Sequence, residues 1–126
     1  MRGLRAAVAA AGLALAGAAS AQQAGPPEWL RQLDLSAAQQ QDVLRIFTAQ
    51  APALRDRLTT ARRAHEQLES LALAGRIDSD EARELADAED EALAEVSQLR
   101  LQAMVQVYRL LTEEQQAQGV QMRFSR

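Results

Sequence analysis

The sequence predicts an all-α protein: a long antiparallel helical hairpin with short flanking helices. Three observations lead there. Two strings, Leu35-Ser36-Ala37-Ala38-Gln39 and Leu111-Thr112-Glu113-Glu114-Gln115, share the pattern of a helix start. In each, the hydroxyl can accept the N3 amide while the glutamine at N3 reaches back to the cap residue's own N–H. Between the two strings, apolar positions recur at alternating steps of three and four. Finally, alanine is abundant, arginine supplies every basic residue, and the only aromatics are Trp29, Phe47, Tyr108 and Phe124. Such a composition favours helix and offers little to fill a thick core.

In chain order, residues 1–21 have the pattern of a secretory signal peptide. Arg2 and Arg5 form a positive start, Ala6 to Ala18 is uncharged, and Ala19-Ser20-Ala21 supplies small residues for cleavage. The apolar run is short of the roughly 20 residues a membrane span needs, so no span is expected once the signal is removed. Residues 22–35 read as a flexible leader in which Gly25-Pro26-Pro27 blocks helix. A short turn within Glu28 to Leu35 would place Trp29, Leu30 and Leu33 on one side. The helical domain is expected over residues 36–126.

Ser36 opens a first helix, and Pro52 predicts a kink or break near Gln50 because proline lacks an amide donor and crowds the preceding turn. A second helix is expected from about Ala53 to Ala74, closed by Gly75 in the left-handed C′ position. Asp78, with Glu81 three residues on, has the pattern of another capping box. A third helix from Ser79 to Leu110 would be a rod of about 48 Å. Thr112 then opens a short fourth helix.

The second helix carries a seam of Leu54, Leu58, Ala61, His65, Leu68 and Ala72, and the third one of Ala82, Leu85, Glu89, Ala92, Val96 and Leu99. Folding back at Gly75 to Asp78 sets Leu54 against Leu99, Ala61 against Ala92 and Leu68 against Leu85. This is the regular seam of an antiparallel coiled-coil hairpin. One pair departs from the apolar rule, His65 facing Glu89. Ala86, Leu93, Ala103, Met104 and Val107 cannot all enter the same seam, and surplus apolar surface of this kind predicts a homodimer.

Chemistry is sparse. There is one histidine, no cysteine and no Gly-rich phosphate loop, so the expected protein is not an enzyme and needs no cofactor. Without Arg2 and Arg5, twelve arginines stand against seventeen acids, a balance that argues against a nucleic-acid partner. His65, Glu69 and Glu89 are the weak candidates for metal ligands, and a structural His–Glu hydrogen bond is the commoner outcome of such a cluster. The acidic run from Asp78 to Glu95 reads as a solvated helix face.

The paired boxes resemble the Leu-Thr-x-x-Gln motifs of the Spy/CpxP family of small periplasmic helical chaperones and stress proteins, over roughly Leu33 to Gln118. The resemblance implies a periplasmic location, a thin, curved antiparallel dimer, and an ATP-independent holdase whose partners are unfolded or misfolded envelope proteins. Matched to the apolar positions around the family's first motif, Leu33, Leu35, Val43 and Phe47, with Arg55 for charge, are the expected client-binding residues. Ser36, Gln39, Thr112 and Gln115 are the helix-capping motif residues. The alternative is a sensor of heavy metal or envelope stress that regulates a membrane partner such as a sensor kinase. Similar metal sensors carry several histidines near the N-terminus, whereas Gln22 to Asp34 has none. Gly119 stands where similar sequences often have a bulky residue, which predicts a frayed last helix.

Overall fold

The computed structural model describes residues 25–125; the expected signal peptide and the first residues of the expected leader lie outside them. Four helices follow in order: α1 (Glu28–Arg31), α2 (Ala37–Leu73), α3 (Asp80–Leu110) and α4 (Glu113–Phe124). The two long helices α2 and α3 pack antiparallel as a hairpin, and the short helices α1 and α4 contact each other at its open end.

The helices begin where the backbone finds a side-chain acceptor. Ser36 caps α2 and Thr112 caps α4, each in a reciprocal box with the glutamine three residues on. The cap of α3 is Ser79 rather than Asp78: its hydroxyl accepts the Ala82 amide at 3.2 Å and donates to the Arg76 carbonyl at 2.7 Å. The serine holds both ends of the turn, so the box expected of Asp78 and Glu81 does not form. At the other side of the turn Gly75 has φ +73°. The Arg76 amide donates to Leu71 O at 2.8 Å and the Gly75 amide to Ala72 O at 3.1 Å, the paired bonds of a Schellman stop.

Two expectations about chain continuity are corrected. The helix does not break before Pro52; α2 runs unbroken through it. Proline removes only its own amide, and Thr48, whose carbonyl loses that bond, lies on an exposed face where water can serve it. Nor is the chain from Glu28 to Leu35 part of a loose leader: the short turn expected there is α1. Leu30 and Leu33 are buried, and together with Val43, Val107 and Leu111 they form the core cluster at the open end. Trp29, Leu35, Ile46, Phe47, Leu110 and Met122 pack around it.

The seam has the register read from the spacing. Leu54, Ala61, Ala82, Ala92 and Val96 are buried along it, with Ala64 beside them and Ala103 and Val107 continuing it toward the core. Gly119 is buried within an intact α4 rather than loosening it. A Cβ at that position would stand 2.8 Å from Cζ3 of Trp29, so the missing side chain is what lets the indole lie against the helix. Trp29 also meets the Tyr108 ring at 6.3 Å and carries the Arg123 guanidinium over its face at 5.7 Å.

Candidate functional site

The two motifs, at opposite ends of the long helical region, meet at the base of the hairpin. Leu111 is buried and Leu35 packs against the same core, so each motif's leucine anchors it. Each glutamine does more than close its own box. The Gln39 Nε2 donates to Gln115 Oε1 at 2.8 Å, and Gln115 Nε2 donates to Gln39 Oε1 at 3.1 Å. The remaining donor of Gln39 goes to Leu110 O and that of Gln115 to Asp34 O, both at 3.0 Å. In each case that carbonyl lies two residues before the other motif's cap. Each Oε1 also accepts its own cap amide, Ser36 N or Thr112 N, at 3.0 Å.

Both amides therefore use their two donors and two acceptor positions. Rotating either group by half a turn would oppose donor to donor and acceptor to acceptor. The arrangement also serves the end of α3, whose last carbonyls lack partners within the helix. Gln39 takes Leu110 O, and Gln116 Nε2 donates to Tyr108 O at 2.6 Å.

The residues expected to hold a client divide into two groups. Leu33 and Val43 are buried core residues, and with Leu30, Leu35 and exposed Leu44 they line an apolar pocket beside the start of α2. Leu35 and Phe47 are partly buried at the edge of that core. Arg55 is exposed, its Nε turned back to Ala51 O at 3.4 Å. Its neighbour Arg57 is engaged by Asp56 at 2.6 Å and by Glu95 across the seam at 3.2 Å. The Asp56 hydrogen bond, with the charge of Glu95, holds the Arg57 guanidinium above its ordinary value.

His65, Glu69 and Glu89 come together in the half of the hairpin nearer its tip. Nδ1 of His65 meets Glu89 Oε2 at 2.8 Å, and Nε2 meets Glu69 Oε1 at 3.2 Å. The carboxylates sit on opposite ring nitrogens, so they do not converge on a point that one imidazole nitrogen could share. Among the described residues no three His, Cys, Asp or Glu side chains gather as metal ligands, and no helix is long and apolar enough to cross a membrane.

Sequence reasoning missed an open apolar surface on α3. On the side of α3 away from the seam, a stripe at alternating steps of four and three changes character along its length. Toward the hairpin tip it presents Asp80, Glu84, Asp87 and Glu91, all exposed; toward the base it presents Ala94, Gln98, Leu101, Val105 and the partly buried Tyr108. Leu101 and Val105 are among the most exposed large apolar residues of the chain. With Met104, Tyr108, Arg109 and Gln116 they line a shallow open trough. The signal lay in the same heptad arithmetic that gave the seam, applied to the opposite face.

No curated protein and no solved structure matches the chain. A model of the LTXXQ motif family protein matches residues 21–123, which includes both glutamine motifs, all four helices to within a residue of their end, and the core between them. The chain belongs to the LTXXQ motif family.

Proposed function

We propose that the protein is an exported, ATP-independent chaperone of the periplasm that holds unfolded or aggregation-prone polypeptides. Family membership supports a periplasmic, stress-related role, and the Arg2/Arg5, Ala6–Ala18 and Ala19-Ser20-Ala21 pattern supports export. The observation that carries the holding activity is the open apolar half of the α3 stripe, Leu101, Val105 and Tyr108. Contiguous exposed apolar surface rimmed by polar groups marks an interaction site. Here it is shallow and broken by Gln98 and Arg109, which suits weak, reversible capture of many sequences better than one tight ligand. Leu35 and Phe47 at the edge of the base, and Arg55 midway along α2, are available as secondary contacts.

The test is an aggregation assay with purified protein, several unrelated chemically denatured clients, light scattering and no nucleotide. Stoichiometric protein is expected to lower the scattering of each client, and Leu101→Gln with Val105→Gln to reduce that effect. Unchanged scattering with wild-type protein would overturn the chaperone reading. Export is checked separately by sequencing the N-terminus of the secreted protein, which is expected to begin at Gln22.

A further inference from the structure

Resting on the chaperone reading, we propose that the outer stripe of α3 selects clients by charge as well as by apolarity. Its preferred occupant is an unfolded polypeptide segment in which a cationic block lies near an apolar one. The two halves of the stripe follow one another along a single unbroken helix, so a segment seated on the apolar half extends over the acidic half. Glu84, Asp87 and Glu91 have no cationic partner among the described residues, whereas Asp80 is within 3.7 Å of Arg83. Three carboxylates a turn apart, all facing solvent, keep their field available to an incoming chain and disfavour an anionic one.

The geometry sets the spacing and direction of the match. At 1.5 Å per residue the centres of the two halves lie about 25 Å apart along α3. An extended chain covers that distance in about eight residues. Arg109 closes the base end of the apolar trough and opposes seating with the cationic block at that end. The cationic block therefore lies toward the hairpin tip.

The test uses three labelled peptides whose blocks are centred eight residues apart: arginine with leucine, glutamate with leucine, and arginine with serine. Binding is followed by fluorescence anisotropy at low and high salt. The arginine–leucine peptide is expected to bind about tenfold more tightly than the glutamate–leucine peptide at low salt, on the scale of three exposed ion pairs of modest individual strength. That preference should shrink at high salt as the carboxylates are screened. The arginine–serine peptide should bind more weakly than the arginine–leucine one.

Glu84→Gln, Asp87→Asn and Glu91→Gln combined should remove the charge preference and leave the glutamate–leucine peptide bound as well or better. Leu101→Gln with Val105→Gln should weaken both leucine peptides. All five positions are exposed, and wild-type helicity and melting of the variants confirm that the fold is retained. Equal binding of the two leucine peptides, or a preference that survives the triple substitution, overturns the proposal. So does sedimentation showing that a second copy of the chain covers the stripe and that the peptides do not displace it. If wild-type protein still suppresses client scattering in any of these cases, only the charge selection falls; if it does not, the chaperone reading falls with it.

Discussion

The base of the molecule and the arm of its hairpin are built from the same two helices by opposite means. At the base, α1, the start of α2, the end of α3 and α4 converge on Leu30, Leu33, Val43, Val107 and Leu111, with Val107 fully buried. The reciprocal amides of Gln39 and Gln115 tie residues 76 positions apart. Along the arm only two helices meet, and much of what they bury is alanine: Ala61, Ala64, Ala82 and Ala92. Small side chains let the helices approach but remove little apolar area from water. At the tip Leu73 is 90% exposed and Ile77 lies open. The lesson is that the family motif is a fastener for the base, which leaves the arm thin and its outer faces free.

The largest expected effect comes from the core. Leu30→Ala removes a side chain that is 1% exposed, and such truncations cost about 2–5 kcal/mol. Chemical denaturation should show it as a lowered midpoint, while an equal truncation at exposed Leu73 leaves the midpoint near wild type.

Next is the amide clasp. Gln39→Ala strands a donor and an acceptor of Gln115 and leaves Leu110 O without its side-chain donor. Each single substitution should destabilise by about 1–3 kcal/mol. A double-mutant cycle with Gln115→Ala should show clear coupling, because the second substitution removes groups already unpaired. Additive losses would mean that the two motifs act only as separate caps.

Gly119→Ala should be destabilising although alanine is the better helix former. Displacing the Trp29 ring costs about 1–3 kcal/mol in a packed site, which outweighs a helix gain of about 1 kcal/mol. The indole emission should shift at the same time; unchanged emission and raised stability would show that Trp29 does not rest on this glycine.

The smallest effect belongs to the arm. His65 and Glu89 meet at 2.8 Å, but the histidine side chain is 58% exposed, so their coupling should stay below about 1 kcal/mol. A cycle of His65→Leu and Glu89→Leu measures it.

What could be read in the sequence follows the range of the interaction. The hairpin, its register and the meeting of His65 with Glu89 follow from a periodicity carried by every turn of two long helices. The stop at Gly75 follows from one residue's conformational freedom. Pro52 misled because a proline penalty is local, whereas the long helix on either side of it and the seam beyond hold α2 together. The short turn that puts Trp29, Leu30 and Leu33 on one side was legible, but not the depth of its burial, because four residues of helix have no periodicity of their own; only α4 and the end of α3 give them a surface to bury against. Gly119 looked like a weakness for the same reason, since Trp29 is its partner from the far end of the chain. The Gln39–Gln115 contact was invisible because each glutamine already had a complete local role. For the candidate site, the apolar residues near the first motif expected to meet a client include Leu33 and Val43, whose burial in the core only the folded chain reveals; the open surface on α3 lay in the same pattern, on the face the seam leaves free.

Native-state hydrogen exchange tests the contrast between base and arm most directly. Amides of Val43, Val107 and Leu111 should exchange only through global unfolding, while those approaching the tip, from Ala72 to Ile77, should exchange far faster through local opening. Gln39→Ala should lower protection at the base most. Uniform protection from base to tip, or a base that opens before the tip, would contradict the account.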